Sequence, residues 1–365
     1  MQEGKGRSVA EIRSITLRRL ALPLVRPYRL SYRTFEVFEP FMVEVEDSDG
    51  RRGFADAHVS PGSSAETREG GWAFLKGQAE AAIGRDAGEV RASVLDRFSD
   101  SKVAATSLVT ALEVLEQDAI LNVPDDCVLP LLTPVNAIAP EDIEAELETE
   151  IARGFRTFKI KVGKDVDADL ARVAVIQRVV SGRATLRLDA NRAFSREDAC
   201  RFAAALAPEG IELFEQPCDA DDWEANAAVA AASPVPLMLD EPICTLDDIA
   251  RAGDIEGVGF CKLKLKRFGG LGRLREGLEA VRTHGMVPVL GDGLGSEIHG
   301  WLEACVARTT IDNAGEFNGF LKPRDRLFEN PLEFTEGAIR LPAGYRPRLD
   351  RAAIERLTAE RVAYT

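Results

Sequence analysis

Paired cysteines, histidine, a basic surplus and long apolar runs are all scarce in this chain. The six cysteines, at 127, 200, 218, 244, 261 and 305, form no C-x-x-C pair and keep no short regular spacing. Buried or half-buried thiols in a reducing compartment are expected, rather than a disulfide framework. Lysine and arginine number 46 against 60 aspartates and glutamates, a formal net charge of −14. That balance argues against nucleic acid or an anionic membrane as a partner. The start, Met1-Gln2-Glu3-Gly4-Lys5-Gly6-Arg7, has no signal-type apolar core, and arginines interrupt the stretch Ile15–Leu24. No apolar run approaches membrane-spanning length, so a cytoplasmic protein is expected. No low-complexity linker is visible either, and the domains should therefore pack closely.

What is present is ordinary globular material, 45% hydrophobic and 29% charged, over 365 residues, a length that favours two domains. From Ile12 the chain alternates in strand fashion as far as Phe41–Glu46, and Asp47-Ser48-Asp49-Gly50 supplies a turn. Helical patterning runs from about Glu66 to Leu121. Strands followed by helices, without alternation between them, indicate a separate α+β unit. Near Leu129 the pattern changes to strand–helix alternation, with strands expected at Pro130–Asn136, Thr157–Val162, Thr185–Asp189 and Ile211–Glu215. Four more are expected at Pro236–Asp240, Gly259–Lys264, Val287–Leu290 and Thr309–Glu316. Eight strands make an α/β barrel, and no barrel helix follows the eighth. Short strands at Leu332–Phe334 and Ala338–Pro342 leave the barrel and return to the first domain. The expected fold is therefore α/β: a modified TIM barrel, (β/α)7β, with an α+β capping domain at 11–127, a barrel at 128–325 and a returning segment at 326–365.

Asp189, Glu215, Asp240 and Lys264 stand 24–26 residues apart, each at the end of an apolar run. One βα unit and its loops fill about 25–30 residues, so each residue falls at the C-terminal mouth of the barrel. Three carboxylates converging there repel one another unless a cation lies between them. Lys159 and Lys161 share one face of strand two because strand side chains alternate. Their mutual repulsion, next to a divalent cation, should depress their pKa values and leave a neutral amine as general base. Lys264 leaves strand six, across the ring, and the three carboxylates lie on the strands between. A cation there would hold a substrate carboxylate and stabilise the enediolate left by proton loss. Oxygen ligands without nearby cysteine or histidine favour Mg2+ over Zn2+, with Mn2+ as a substitute.

Lys159-Ile160-Lys161, Asp189-Ala190-Asn191, Glu215-Gln216-Pro217, Asp240-Glu241-Pro242, and Lys262-Leu263-Lys264 with Gly269-Gly270 resemble the enolase superfamily, muconate-lactonizing-enzyme subgroup. Superfamily members use a lysine or histidine base with one or two Mg2+ ions. The resemblance implies Asp189, Glu215 and Asp240 as metal ligands, Lys161 and Lys264 as paired acid/base groups, and Lys159 as the lysine beside the base that approaches the substrate carboxylate. Asn191 and Glu241 match positions that support the ligands. Asp240 and Glu241 compete for the fifth-strand ligand position, and the offset to Lys264 favours Asp240. Lys262 and Lys266 share the alternation of Lys264, and Gly269-Gly270 sets the register in favour of Lys264. A His-Asp base of the mandelate-racemase type looks excluded, since the only histidines are His58, His284 and His299.

In this architecture cap loops at 23–32 and 59–67 would set specificity, which makes Arg26, Tyr28 and Tyr32 candidate substrate contacts. His58 either faces the site from the cap or is structural. Asp292 either faces the ligand or caps the following helix. Dipeptide epimerases of the subgroup usually carry D-x-D at the end of strand eight, where this chain has Glu316 and Asn318. Two lysines favour racemisation or epimerisation of an amino-acid-like or other small carboxylate, with dehydration and cycloisomerisation as alternatives. A non-catalytic binding protein on this fold would predict a substituted lysine or ligand, and none is substituted. A small-molecule carboxylate is the expected partner, and the chain is expected to self-associate as a homo-oligomer.

Overall fold

Alternating burial, shifted by irregularities after Ile12 and before Leu20, builds the first sheet. β1 (Ile12–Leu20) buries Ile12, Ile15, Leu17 and Leu20, and β2 (Leu22–Arg29) pairs with β3 (Thr34–Phe38) as a separate ribbon. The computed structural model describes residues 10–29, 34–61 and 66–365. β4 (Phe41–Asp47) and β5 (Arg52–Ala57) form a hairpin whose turn is held by Asp47 Oδ1, which accepts hydrogen bonds from the Asp49 and Arg51 amides. Three helices follow, α1 (Arg68–Ala82), α2 (Ala87–Asp96) and α3 (Lys102–Leu115). α3 is buried along almost all its length, as a helix apolar on every side must be. It approaches β5 so closely that a Cβ on Gly53 would stand 2.0 Å from the Ala111 carbonyl oxygen.

The barrel then unfolds along the chain. After β6 (Cys127–Pro130) come β7 (Thr133–Val135), α4 (Pro140–Ala152), β8 (Thr157–Lys161), α5 (Val166–Val180), β9 (Thr185–Asp189) and α6 (Arg196–Ala204). The alternation goes on through β10 (Ile211–Glu215), α7 (Trp223–Ala232), β11 (Leu237–Leu239), α8 (Leu246–Gly253) and β12 (Val258–Leu263). A short α9 (Leu265–Phe268), α10 (Leu271–Thr283), β13 (Val287–Leu290) and α11 (Glu297–Thr310) complete it. Strands β7 to β13 form one sheet in sequential order, every neighbouring pair parallel. Largely buried on both faces, these strands are rich in apolar residues, with interior charges at Lys159, Arg187, Glu212 and Lys262 and further charges where β8, β9 and β10 end.

Two expected strands come out differently. Pro130–Asn136 is split: β6 turns away to an antiparallel partner, and only β7 joins the parallel sheet. Thr309–Glu316 is mostly not a strand, because the Thr309 and Thr310 hydroxyls bond back to the Val306 carbonyl and extend α11. Closure falls to Gly315 and Glu316. The Gly315 amide donates to Pro130 O at 2.9 Å, its carbonyl accepts from Leu132 N at 3.0 Å, and Glu316 N donates to Leu290 O at 2.9 Å. This short segment therefore joins both edges of the seven-stranded sheet and leaves Glu316 at the barrel mouth.

β14 (Glu333–Thr335) and β15 (Ala338–Leu341) form an antiparallel sheet with β6. Glu297, at the start of α11, accepts from the Leu327, Phe328 and Leu332 amides and pins the returning chain to the barrel. After α12 (Arg351–Leu357), β16 (Thr358–Tyr364) pairs antiparallel with β1 and completes the cap sheet. The fold is thus a modified TIM barrel with an α+β cap that the C-terminal segment completes. Among the described residues no helix is long and apolar enough to cross a membrane, and all six cysteines are free.

Candidate active site

Charged side chains meet at the C-terminal ends of β8 to β12. Asp189 and Glu215 are the last residues of β9 and β10, and Asp240 follows β11 directly; all three are buried. Lys159, only 3% exposed, lies between the first two, its Nζ 2.8 Å from Asp189 Oδ2 and 2.8 Å from Glu215 Oε2. Lys161 Nζ lies 2.5 Å from Asp189 Oδ2 and donates to Asn191 Oδ1. Across the mouth, Lys264 Nζ is 2.8 Å from Asp240 Oδ2. Three strands, β9 to β11, separate the strand that carries Lys161 from the strand that Lys264 ends.

Lys262 has no role in the sequence expectation, where Gly269-Gly270 sets the register in favour of Lys264. In the structure Lys262 is 2% exposed, 3.1 Å from Glu215 Oε1 and hydrogen-bonded to Glu316. Lys262, Lys264 and Lys266 all line the cavity, because the chain leaves its strand at Lys264 and the short helix α9 turns Lys266 back toward it. Arg267 was missed altogether. Its Nη1 lies 2.9 Å from Asp240 Oδ1, and its position one helical turn after Lys264 was the available signal. Gln216 was quoted in a motif without a role; its Oε1 accepts from the Asp240 amide at 2.9 Å and seats that carboxylate.

The electrostatics correct one expectation. Lys159 is not depressed. Burial works against its charge, but Asp189, Glu215 and Glu316 together outweigh it and raise its pKa well above the ordinary lysine value. Among the lysines paired to the strand-end carboxylates Lys264 falls, lowered by burial and then by Arg267 beside it. Burial alone would raise Asp189, yet Lys159 and Lys161 hold it down to about 2. Glu215 moves up, because burial and the Asp189 charge outweigh Lys159 and Lys262. Burial, followed by the Asp240 charge, pushes Glu241 up to about 7.

The mouth opens into a cavity of about 440 Å3 under the cap. Tyr28, Asn191, Glu241, Asp292 and Glu316 line it. Arg26 is exposed on β2 and does not line it. Tyr32 lies outside the described residues. His58 is buried against Phe35 and Phe38, with ring centroids 5.7 and 5.3 Å away, and burial drives its pKa down to about 3; it packs and does not line the cavity. Asp292 does not cap α11, a role taken by Ser296, and its carboxylate pairs with Lys266. Glu316 accepts from Lys159 at 3.0 and 3.1 Å as well as from Lys262.

Three buried carboxylates ending three adjacent strands are the hard oxygen donors that suit Mg2+. Glu215 Oε2 is buried with an ion-pair contact to Lys159 but no hydrogen bond, and Glu215 is the carboxyl that crowding pushes upward. The donor set fits a divalent cation. Among the described residues no three such side chains already close around a common point, since the Lys159 and Lys262 ammonium groups stand between them.

A capped barrel with its charge gathered where the strands end is the architecture of a barrel enzyme. Residues 142–346, more than half of the chain, match the family described as Enolase C-terminal domain-like. The chain is 32% identical over 218 residues to muconate cycloisomerase 1 of Rhodococcus opacus, a match covering 57% of each protein. It is 27% identical to L-Lys-D/L-Arg epimerase of Methylococcus capsulatus, over 84% of this chain and 91% of that enzyme. Its fold superposes with a TM-score of 0.87, at 20% identity, on a dipeptide epimerase from Cytophaga hutchinsonii solved with Mg and the dipeptide D-Ala-L-Val, covering 97% of this chain and 99% of that one. The protein belongs to the Enolase C-terminal domain-like family of the enolase superfamily.

Proposed function

We propose that this enzyme removes the proton α to a carboxylate and returns one to the opposite face, racemising or epimerising a small amino-acid-like carboxylate. One observation carries the reading. Lys161 and Lys264 line the same cavity from strands two and six, each paired to a different buried carboxylate. One lysine, as neutral amine, breaks the α C–H bond and leaves an enediolate; the other, as ammonium, delivers a proton to the far face. Burial and Arg267 lower the pKa of Lys264 and so favour its neutral form, while Asn191 orients Lys161. Lys159 stays charged, compensates Asp189 and Glu215, and faces the substrate carboxylate. Asp189, Glu215 and Asp240 would hold Mg2+, which when bound supplies positive charge to stabilise the enediolate.

Glu316 bears on the substrate. Lys159 and Lys262 already engage its carboxylate, so it is not free to hold a substrate ammonium. That favours an N-acylated or ammonium-free carboxylate over a free dipeptide. Similarity to muconate cycloisomerase 1 supports a second reading, cycloisomerisation, in which only one lysine moves a proton. The six free thiols support a reducing, cytoplasmic setting. The test is Mg2+-dependent exchange of the α-proton in D2O across N-acyl amino acids, dipeptides and hydroxy acids. Exchange with inversion supports racemisation; failure of every carboxylate to exchange sinks the reading.

A further inference from the structure

Lys262 is a buried charge that the proton transfer does not use. Its ammonium touches Glu215 at 3.1 Å, lies 3.9 Å from Asp240 Oδ2 and is hydrogen-bonded to Glu316. Lys159 makes the complementary contacts, to Asp189 and Glu215, and also bonds Glu316. Glu316 thus bridges the two ammonium groups and anchors both against the three strand-end carboxylates. A buried ammonium persists only where carboxylates compensate it, and here the compensating groups are the same oxygens proposed to hold a cation. Lys161 pairs with Asp189, and Lys264 and Arg267 pair with Asp240, so Lys262 is one of several cations already on the oxygens that a divalent ion would need.

Resting on the metal-site reading above, we propose that Lys262 is an internal cation that competes with the divalent ion for Glu215 and Asp240 and so sets its affinity. Glu316 is the counterweight. It draws Lys262 and Lys159 toward the strand-eight side and leaves the ligand oxygens more accessible. Lys262 is a positioning residue in this account, not a catalytic one.

The two side chains should act in opposite directions, which a purely structural role would not produce. Calorimetric titration of MgCl2 into wild type, Lys262→Met and Glu316→Gln, with thermal melting in parallel, reads this out without any turnover. Lys262→Met is expected to tighten Mg2+ binding by at least about tenfold, because a like charge next to the ion is removed, and to enlarge the Mg2+-induced rise in Tm. Glu316→Gln is expected to weaken binding several-fold. Lys262→Arg keeps the charge and should retain affinity close to wild type, and Lys262→Gln serves if the methionine variant does not fold. Wild-type binding with an unchanged Kd in the neutral Lys262 variants overturns the role of the lysine alone. Shifts in the same direction for Lys262→Met and Glu316→Gln also overturn it. Folded wild type and folded Lys262→Met that both ignore Mg2+ overturn the proposal together with the metal site.

Discussion

Lys161 and Lys264 are each paired to a carboxylate at the end of the neighbouring strand, Lys161 to Asp189 at 2.5 Å and Lys264 to Asp240 at 2.8 Å. The two halves of the mouth thus repeat one motif around Glu215. Each lysine has its own charge environment, and so the two need not share one protonation state. An enzyme that must start with one base neutral and the other charged needs that asymmetry.

Separate lysines serving separate faces predict separate losses. Lys161→Ala and Lys264→Ala should each reduce α-proton exchange by about 10²–10⁴-fold, the usual contribution of a positioned acid or base. Each should abolish exchange from one stereoisomer more completely than from the other. NMR of the α-proton in D2O distinguishes the two, and variants that both still exchange both isomers would rule out the two-base assignment.

Carboxylates as metal ligands predict reversible dependence on the ion. Dialysis against EDTA should stop exchange, and Mg2+ or Mn2+ should restore it. Asp189→Asn removes one anionic ligand and should prevent that recovery while the far-ultraviolet circular dichroism stays native. Full exchange in excess EDTA is the outcome that contradicts a metal requirement.

Glu303 on α11 is completely buried, and burial followed by the Asp292 charge pushes its carboxyl up to about 8 from an ordinary 4.5. The folded state therefore holds a proton that the unfolded chain releases, so stability should fall as pH rises from about 4.5 to 8. Glu303→Gln lacks that slope and should be more stable than wild type at pH 8 by on the order of 1–3 kcal/mol. Urea melts at pH 5 and pH 8 check it; parallel pH profiles for the two proteins would count against a neutral Glu303.

Gly53 lies where β5 meets α3, and a Cβ there would stand 2.0 Å from Ala111 O and 2.5 Å from Leu115 N. Backbone atoms cannot rotate away, so Gly53→Ala should cost about 2–3 kcal/mol by overpacking. Thermal melting measures the loss. A Tm within a degree of wild type would mean that the helix shifts freely on the sheet.

Much of the barrel was legible because strand burial is written locally. The run Leu237–Leu239 is apolar up to Asp240, and that pattern places the charge at the barrel mouth. The eighth strand was misread because Thr309 and Thr310 have high strand propensity in isolation but bond back into α11. The sequence leaves His58 open between facing the site from the cap and a structural role, and Phe35 and Phe38 from the neighbouring ribbon decide it by enclosing the ring.

The order and spacing of Lys161, Asp189, Glu215, Asp240 and Lys264 were determined by the sequence alone, since chain length per βα unit and side-chain alternation are covalent and local facts. Tertiary structure decided what charge each of them works against. Lys159 stays an ammonium, Lys264 loses basicity, and Lys262 enters the carboxylate cluster because Glu316, Arg267 and Asp240 come to them from other strands and turns. Electrostatic energy depends on distance through space and on burial, and neither is carried by position along the chain.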